Sequence, residues 1–136
     1  MLLKSILILI INLIPVAQIN HINDLRWSNR VLVIINDGSI DFSKKINLYK
    51  KEFDERDFLI IYINGKNTFI NNKKMSKQFS DSIFKKIKNI NSNHFFLIGK
   101  DGQVKNSYSF RTGLEKIFYD VDRMPMRKYE MQNRIK

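Results

Sequence analysis

At 136 residues, 43% of them hydrophobic and ten of them phenylalanine, the chain suits one domain with an ordinary core and leaves no room for a second. It contains no cysteine, which excludes disulfides, dithiol exchange and any thiolate nucleophile. Twenty-four Lys and Arg against thirteen Asp and Glu give a formal charge of +11, a balance that attracts anionic partners. The joint richness in Lys, Asn and Ile is also the residue bias of an AT-rich genome, which produces a basic surface with no polyanion bound.

Lys4 precedes Ser5 to Val16, an almost unbroken apolar run interrupted by Asn12 and Pro15. About a dozen residues fall short of the ~20 needed to cross a bilayer, so residues 1–17 read as a signal peptide cleaved after Ala17. An uncleaved anchor is the alternative, because Pro15 sits where a small residue suits cleavage. The expectation is an exported protein, periplasmic or secreted, with membrane contact only through an uncleaved leader. Residues 18–29 follow as an N-terminal arm.

Arg30 to Ile35 (RVLVII) is a continuous β-branched run closed by Asn36-Asp37-Gly38, the pattern of a buried strand. Phe42, Ile46, Tyr49 and Phe53 then recur at helical spacing, with Asp41 as N-cap and an end near Asp57. Phe58 to Ile63 (FLIIYI) is a second buried strand stopped by Asn64-Gly65, and a loop runs through Asn72. Met75, Phe79, Ile83 and Ile87 mark the next amphipathic helix. His94 to Ile98 is a third strand, and Lys100-Asp101-Gly102 turns it into a fourth at Val104 to Ser109. Thr112 and Glu115 form a capping box ahead of Leu114, Ile117, Phe118 and Val121, a helix that Pro125 stops. The order βαβαββα predicts an α/β fold of thioredoxin-like architecture over residues 30–124, a mixed sheet with helices on both faces. Residues 125–136 remain as a basic C-terminal tail.

Four blocks sharpen the likeness: Asp24 to Leu32, Glu55-Arg56-Asp57, Leu97 to Lys105, and Asp122 to Arg127. Together they resemble the DUDES family, a thioredoxin-like and peroxiredoxin-like domain family of unknown function, and the resemblance runs from about Asp24 to Met131. It implies exported bacterial proteins and kinship with a domain of extracellular-matrix-associated proteins, among them the sushi-repeat proteins and equarin. It also suggests redox chemistry, from which this chain departs. The segment after the first strand, where such domains carry their reactive cysteine, is Asn36-Asp37-Gly38-Ser39-Ile40-Asp41, and Ser92-Asn93-His94 stands where a cis-proline would precede the third strand.

Other chemistries have little footing. Gly99-Lys100 lacks the glycine spacing and the following Ser or Thr of a phosphate-binding loop, so Gly99 to Gly102 reads as a turn. His21 and His94 are the only histidines, and neither is spaced with other ligands for a metal or a Ser-His pair. No cofactor is implied. Asp54 and Asp57 share a helical face near Lys50, Lys51 and Arg56. Nucleic acid is disfavoured, because Phe and Tyr fall at core spacings and the chain reads as exported.

Two arginine-bearing blocks remain. Arg26-Trp27-Ser28-Asn29-Arg30 holds the only tryptophan, either as a binding hot spot or as the residue docking the arm, with Arg26 or Arg30 paired to Asp24, Glu55 or Asp57. Met124-Pro125-Met126-Arg127, with Arg123 before it, is open to the same two readings. Arg26, Trp27, Arg30, Arg56, Lys100, Arg123 and Arg127 are therefore the candidate binding residues. The function expected is a non-catalytic binding module for a protein or an acidic polymer; the alternative is a thiol-independent enzyme acting on an anionic substrate.

Overall fold

The computed structural model describes residues 16–38, 40–88 and 93–135. The leader up to residue 15, Ser39 and the Ser92 position lie outside the described residues, and with them the signal-peptide reading.

Arg30–Ile35 forms β1, buried at all six positions, as a continuous apolar run must be when both faces of its sheet are covered. Phe58–Asn64 forms β2, parallel to β1 from Arg30↔Phe58 to Ile35↔Ile63. His94–Ile98 (β5) lies antiparallel on the other side of β1, and Val104–Ser109 (β6) pairs antiparallel with β5. The strand order β2-β1-β5-β6, with helices on both faces, is the thioredoxin-like α/β architecture that the sequence predicts.

The sheet extends further than predicted. The loop expected through Asn72 is a pair of hairpins, β3 (Asn67–Ile70) and β4 (Lys73–Lys74), giving the order β4-β3-β2-β1-β5-β6. The two-residue turns are Gly65-Lys66 and Asn71-Asn72, and Gly65, Asn71 and Asn72 take the positive φ that such turns require.

The first helical segment is two helices, α1 (Ser43–Leu48) and α2 (Lys50–Glu55), broken at Tyr49. Asp41 serves one residue before the N-cap, accepting from Ser43 N–H at 2.9 Å, while Phe42 holds the cap position. Lys77–Lys86 is α3, capped by Ser76. Leu114–Asp122 is α4, and its N-cap is Gly113 without a side-chain bond, so Thr112 does not form the predicted box. Glu115 instead accepts from the Tyr49 hydroxyl. Past α4, the predicted tail forms a helix, α5 (Pro125–Ile135). Pro125 occupies the first helical position, where its missing N–H costs nothing and its fixed φ suits the helix.

Successive strand residues serve opposite faces. Val31, Val33, Ile61, Ile63, Phe96 and Ile98 meet Phe79, Ile83 and Ile87 of the α3 segment on one side. Leu32, Ile34, Phe95 and Leu97 meet Phe42, Phe53, Leu114, Ile117 and Phe118 on the other. The arm belongs to the first of these cores: Ile19, Ile22 and Leu25 are buried, and Ile22 N–H donates to Ser82 Oγ at 2.9 Å. Trp27 does not dock it. The indole is 62% exposed, so the three aliphatic residues of the arm do the work expected of the tryptophan.

Candidate functional site

Because β1 and β2 are parallel and start together while β5 ends beside them, one end of the sheet collects Arg30, Asp57 and Lys100. The arm reaches the same end: Trp27 N–H donates to the Lys100 carbonyl at 2.6 Å. Helix α5 runs back across it and contributes Glu130. Arg30 Nη1 donates to Glu130 Oε2 at 2.9 Å and to the Arg56 carbonyl at 3.0 Å. Lys100 Nζ bridges Glu130 and Asp57, the latter at 2.8 Å, and Arg134 Nη2 reaches Asp57 at 2.9 Å.

A second cluster lies beside it. Arg56 grips Asp122 with a two-point fork at 3.0 and 2.8 Å, and Arg127 Nε reaches the same carboxylate at 3.1 Å. Arg127 Nη1 also donates to the Glu55 carbonyl at 3.0 Å, while the Arg56 guanidinium lies 4.7 Å from the centre of the Phe118 ring.

Burial alone would push the Glu130 carboxyl up, but hydrogen bonds from Lys100 and Arg30, and their charges, hold it below its ordinary value. Asp122 is lowered in the same way against its burial, by Arg56 and Arg127. Both carboxylates are therefore fixed in their ionised form, suited to holding cations rather than to exchanging protons near neutrality.

The arrangement draws together Arg30, Arg56, Lys100 and Arg127 and sets each against a carboxylate. Sequence reasoning missed those partners. Glu130 lies 100 residues from Arg30, in the stretch that reads as a tail, and Asp122, which opens one of the four blocks, lies 66 residues from Arg56 with no local signal of the pairing. Asp24 instead closes the cap of the arm with His21, and Glu55 contributes its carbonyl rather than its carboxylate. Asp54 pairs with Lys50 at 2.7 Å, apart from Asp57.

Arg26 and Trp27 form the exposed lip of this end. The Arg26 guanidinium lies 5.5 Å from the indole centroid, and its stem lies over Gly102, where a Cβ would come within 2.8 Å of it. Gly102 also has φ +83, so the turn requires glycine on both counts. Trp27 itself has φ 68, in the left-handed region that disfavours a bulky side chain. Arg123 is exposed at the C-terminal cap of α4, its guanidinium over the Tyr119 ring at 5.3 Å. Next to Lys100, whose carbonyl holds the Trp27 N–H, lies a cleft of about 310 Å³ lined by Arg30, Gly99, Lys100, Asp101 and Lys105 together with Met124, Pro125 and Met126. The two arginine-bearing blocks thus meet at one place. Its cations are paired with carboxylates, and the cleft also presents methionine and proline.

Among the described residues no group of three or more His, Asp or Glu is placed to hold a metal ion, and no helix is long and apolar enough to cross a membrane. No curated protein and no solved structure matches the chain. A family model, the domain of unknown function DUF4174, matches residues 21–130, a span that includes most of the arm, the Arg56–Asp122–Arg127 cluster and, apart from Arg134, the cluster around Glu130. The chain belongs to the DUF4174 family of domains of unknown function.

Proposed function

We propose that this domain is a non-catalytic binding module, and that it recognises a protein partner through Trp27 and the methionine-walled cleft beside it. The observation that carries the reading is the conformation of Trp27. A left-handed backbone costs an L-residue about 1–2 kcal/mol, and here it holds a large aromatic side chain out in solvent beside a guanidinium. Exposed Trp with neighbouring Arg is the chemistry of an interface hot spot. The pairing of Arg30, Arg56, Lys100 and Arg127 favours a protein over an acidic polymer, since these cations already have carboxylate partners. The same pairing weighs against the thiol-independent enzyme, whose anionic substrate would have to displace Asp122 or Glu130.

Export belongs to this proposal and is supported by the apolar leader and by the DUDES resemblance. Fractionation with N-terminal sequencing checks it: a mature chain starting near residue 18 outside the cytoplasm is the expected result.

Trp27→Gly separates the binding role from a structural one. Glycine relieves the left-handed strain and adds roughly 1 kcal/mol of chain flexibility, so the melting temperature is expected to stay within a few degrees of the parent. A tryptophan that docked the arm would instead cost about 3–5 kcal/mol on removal. Affinity capture from the extracytoplasmic fraction, run with both forms, then reads the function. A partner retained by the parent and lost with Trp27→Gly supports the proposal; identical capture, or a large fall in melting temperature, refutes it.

A further inference from the structure

The opposite end of the sheet carries a different surface. β1 and β2 finish side by side at Ile35 and Ile63, about 20 Å along the strands from Trp27. β2 lies on one flank of β1 and β5 on the other, so the chain leaves β1 in one direction and returns to its other side.

Two hollows of about 350 and 430 Å³ adjoin through Tyr62 and Asn72, the smaller at this end of the sheet and the larger extending back along β2 to Phe58. The first sits against Asn36 and Asn64, at the ends of β1 and β2. The second runs along β2 beneath α1 and α2, past Asn47 and Asn71. Tyr62 and Phe69 are direct partners in the β2–β3 ladder, so their rings share one face, and both line the first hollow. The charged residues lining these hollows, Lys50 and Asp54, neutralise each other at 2.7 Å. The lining is therefore aromatic, aliphatic and amide, with no net charge, in a strongly basic protein.

We infer that this crevice binds a neutral sugar chain, one pyranose ring in each hollow. An asparagine amide both donates and accepts, which matches the hydroxyls of a sugar. The aromatic faces suit the apolar C–H face of a pyranose, and a half-buried Tyr62 offers one further hydroxyl. Burial, with the Asp41 carboxylate nearby, pushes that hydroxyl above its ordinary pKa, so it remains a donor. The one cation lining the hollows, Lys50, already pairs with Asp54, which disfavours a polyanion. The inference rests on residues other than Trp27 and stands independently of the protein-partner reading.

The test is a titration of the ¹⁵N-labelled domain with maltohexaose, laminarihexaose, mannohexaose and chitohexaose, at low and high salt, with a heparin hexasaccharide as the anionic comparison. At least one neutral sugar should bind with Kd below about 1 mM and the same Kd at both salts, shifting the amides of Asn36, Asn64 and Asn72 and leaving the Trp27 indole signal in place. Asn72→Gly keeps the backbone, because φ 63 suits glycine, and removes one amide. It should weaken binding about tenfold while the melting temperature holds. Trp27→Gly should leave sugar binding unchanged. The inference is overturned if none of the neutral sugars binds, if binding maps to Trp27, if only the heparin fragment binds and does so in a salt-dependent way, or if Asn72→Gly binds like the parent.

Discussion

Glu130→Ala is expected to lower the unfolding free energy by about 3–5 kcal/mol, because it leaves two buried cations without their shared carboxylate. Arg30 is 1% exposed, and the Lys100 side chain is 10% exposed. Lys100 keeps Asp57, but among the described residues the Arg30 guanidinium retains only the Arg56 carbonyl as an acceptor. Urea unfolding at neutral pH measures the effect, and a loss under about 1 kcal/mol would mean that the pair behaves like a surface ion pair. Arg30→Met combined with Glu130→Ala should recover much of the loss, since removing both members of a buried pair is often close to neutral.

The pH dependence follows from the same group. Glu130 has a folded-state pKa below its unfolded value, so its contribution is fully present above the ordinary carboxylate range and is lost as pH falls through the lowered value. Asp122 behaves in the same sense. The parent should therefore lose stability on acidification, and Glu130→Ala should lose less of it, with the Asp122 share remaining. Equal acid sensitivity in the two forms would count against this account.

Leu25→Ala should cost about 2–5 kcal/mol, as a buried leucine does when its cavity does not collapse. The residue sits with Ile19 and Ile22 against the α3 face of the sheet, in the core rather than ahead of it. A chain shortened to begin at Arg30 should accordingly fail to unfold cooperatively, because it lacks all three side chains and leaves Ser82 Oγ without the Ile22 N–H. Near-ultraviolet circular dichroism of the two forms is the check. A cooperative transition in the shortened chain, at a melting temperature close to the parent's, would show that the arm is an accessory.

Strands β1, β2 and β5 and the amphipathic helices were legible because burial writes itself locally. A strand covered on both faces must be apolar throughout, as in RVLVII and FLIIYI, and a helix lying on that sheet repeats its apolar residues at 3.6. The β3–β4 extension was also present in the sequence, at Asn64-Gly65 and Asn71-Asn72, but strands of four and two residues are too short to give a periodic signal. The helical face through Phe42, Ile46, Tyr49 and Phe53 survives the break at Tyr49, since one face meets the core whether or not the backbone is continuous.

By itself the sequence determined the α/β class, the pairing of β1 with β2, the lack of any thiol, and the two arginine-bearing blocks as places of interest. Tertiary structure alone decided what those arginines do. Arg30 meets Glu130 across 100 residues, and Arg56 meets Asp122 across 66, because parallel strands and a returning helix bring remote charges to one end of the sheet. It also decided that Trp27 faces solvent, since burial of an arm depends on which side chains reach the sheet, and three aliphatic residues reach it first. Ion pairing and exposure are settled by distances in space, and local patterning records only what each segment does to its own neighbours.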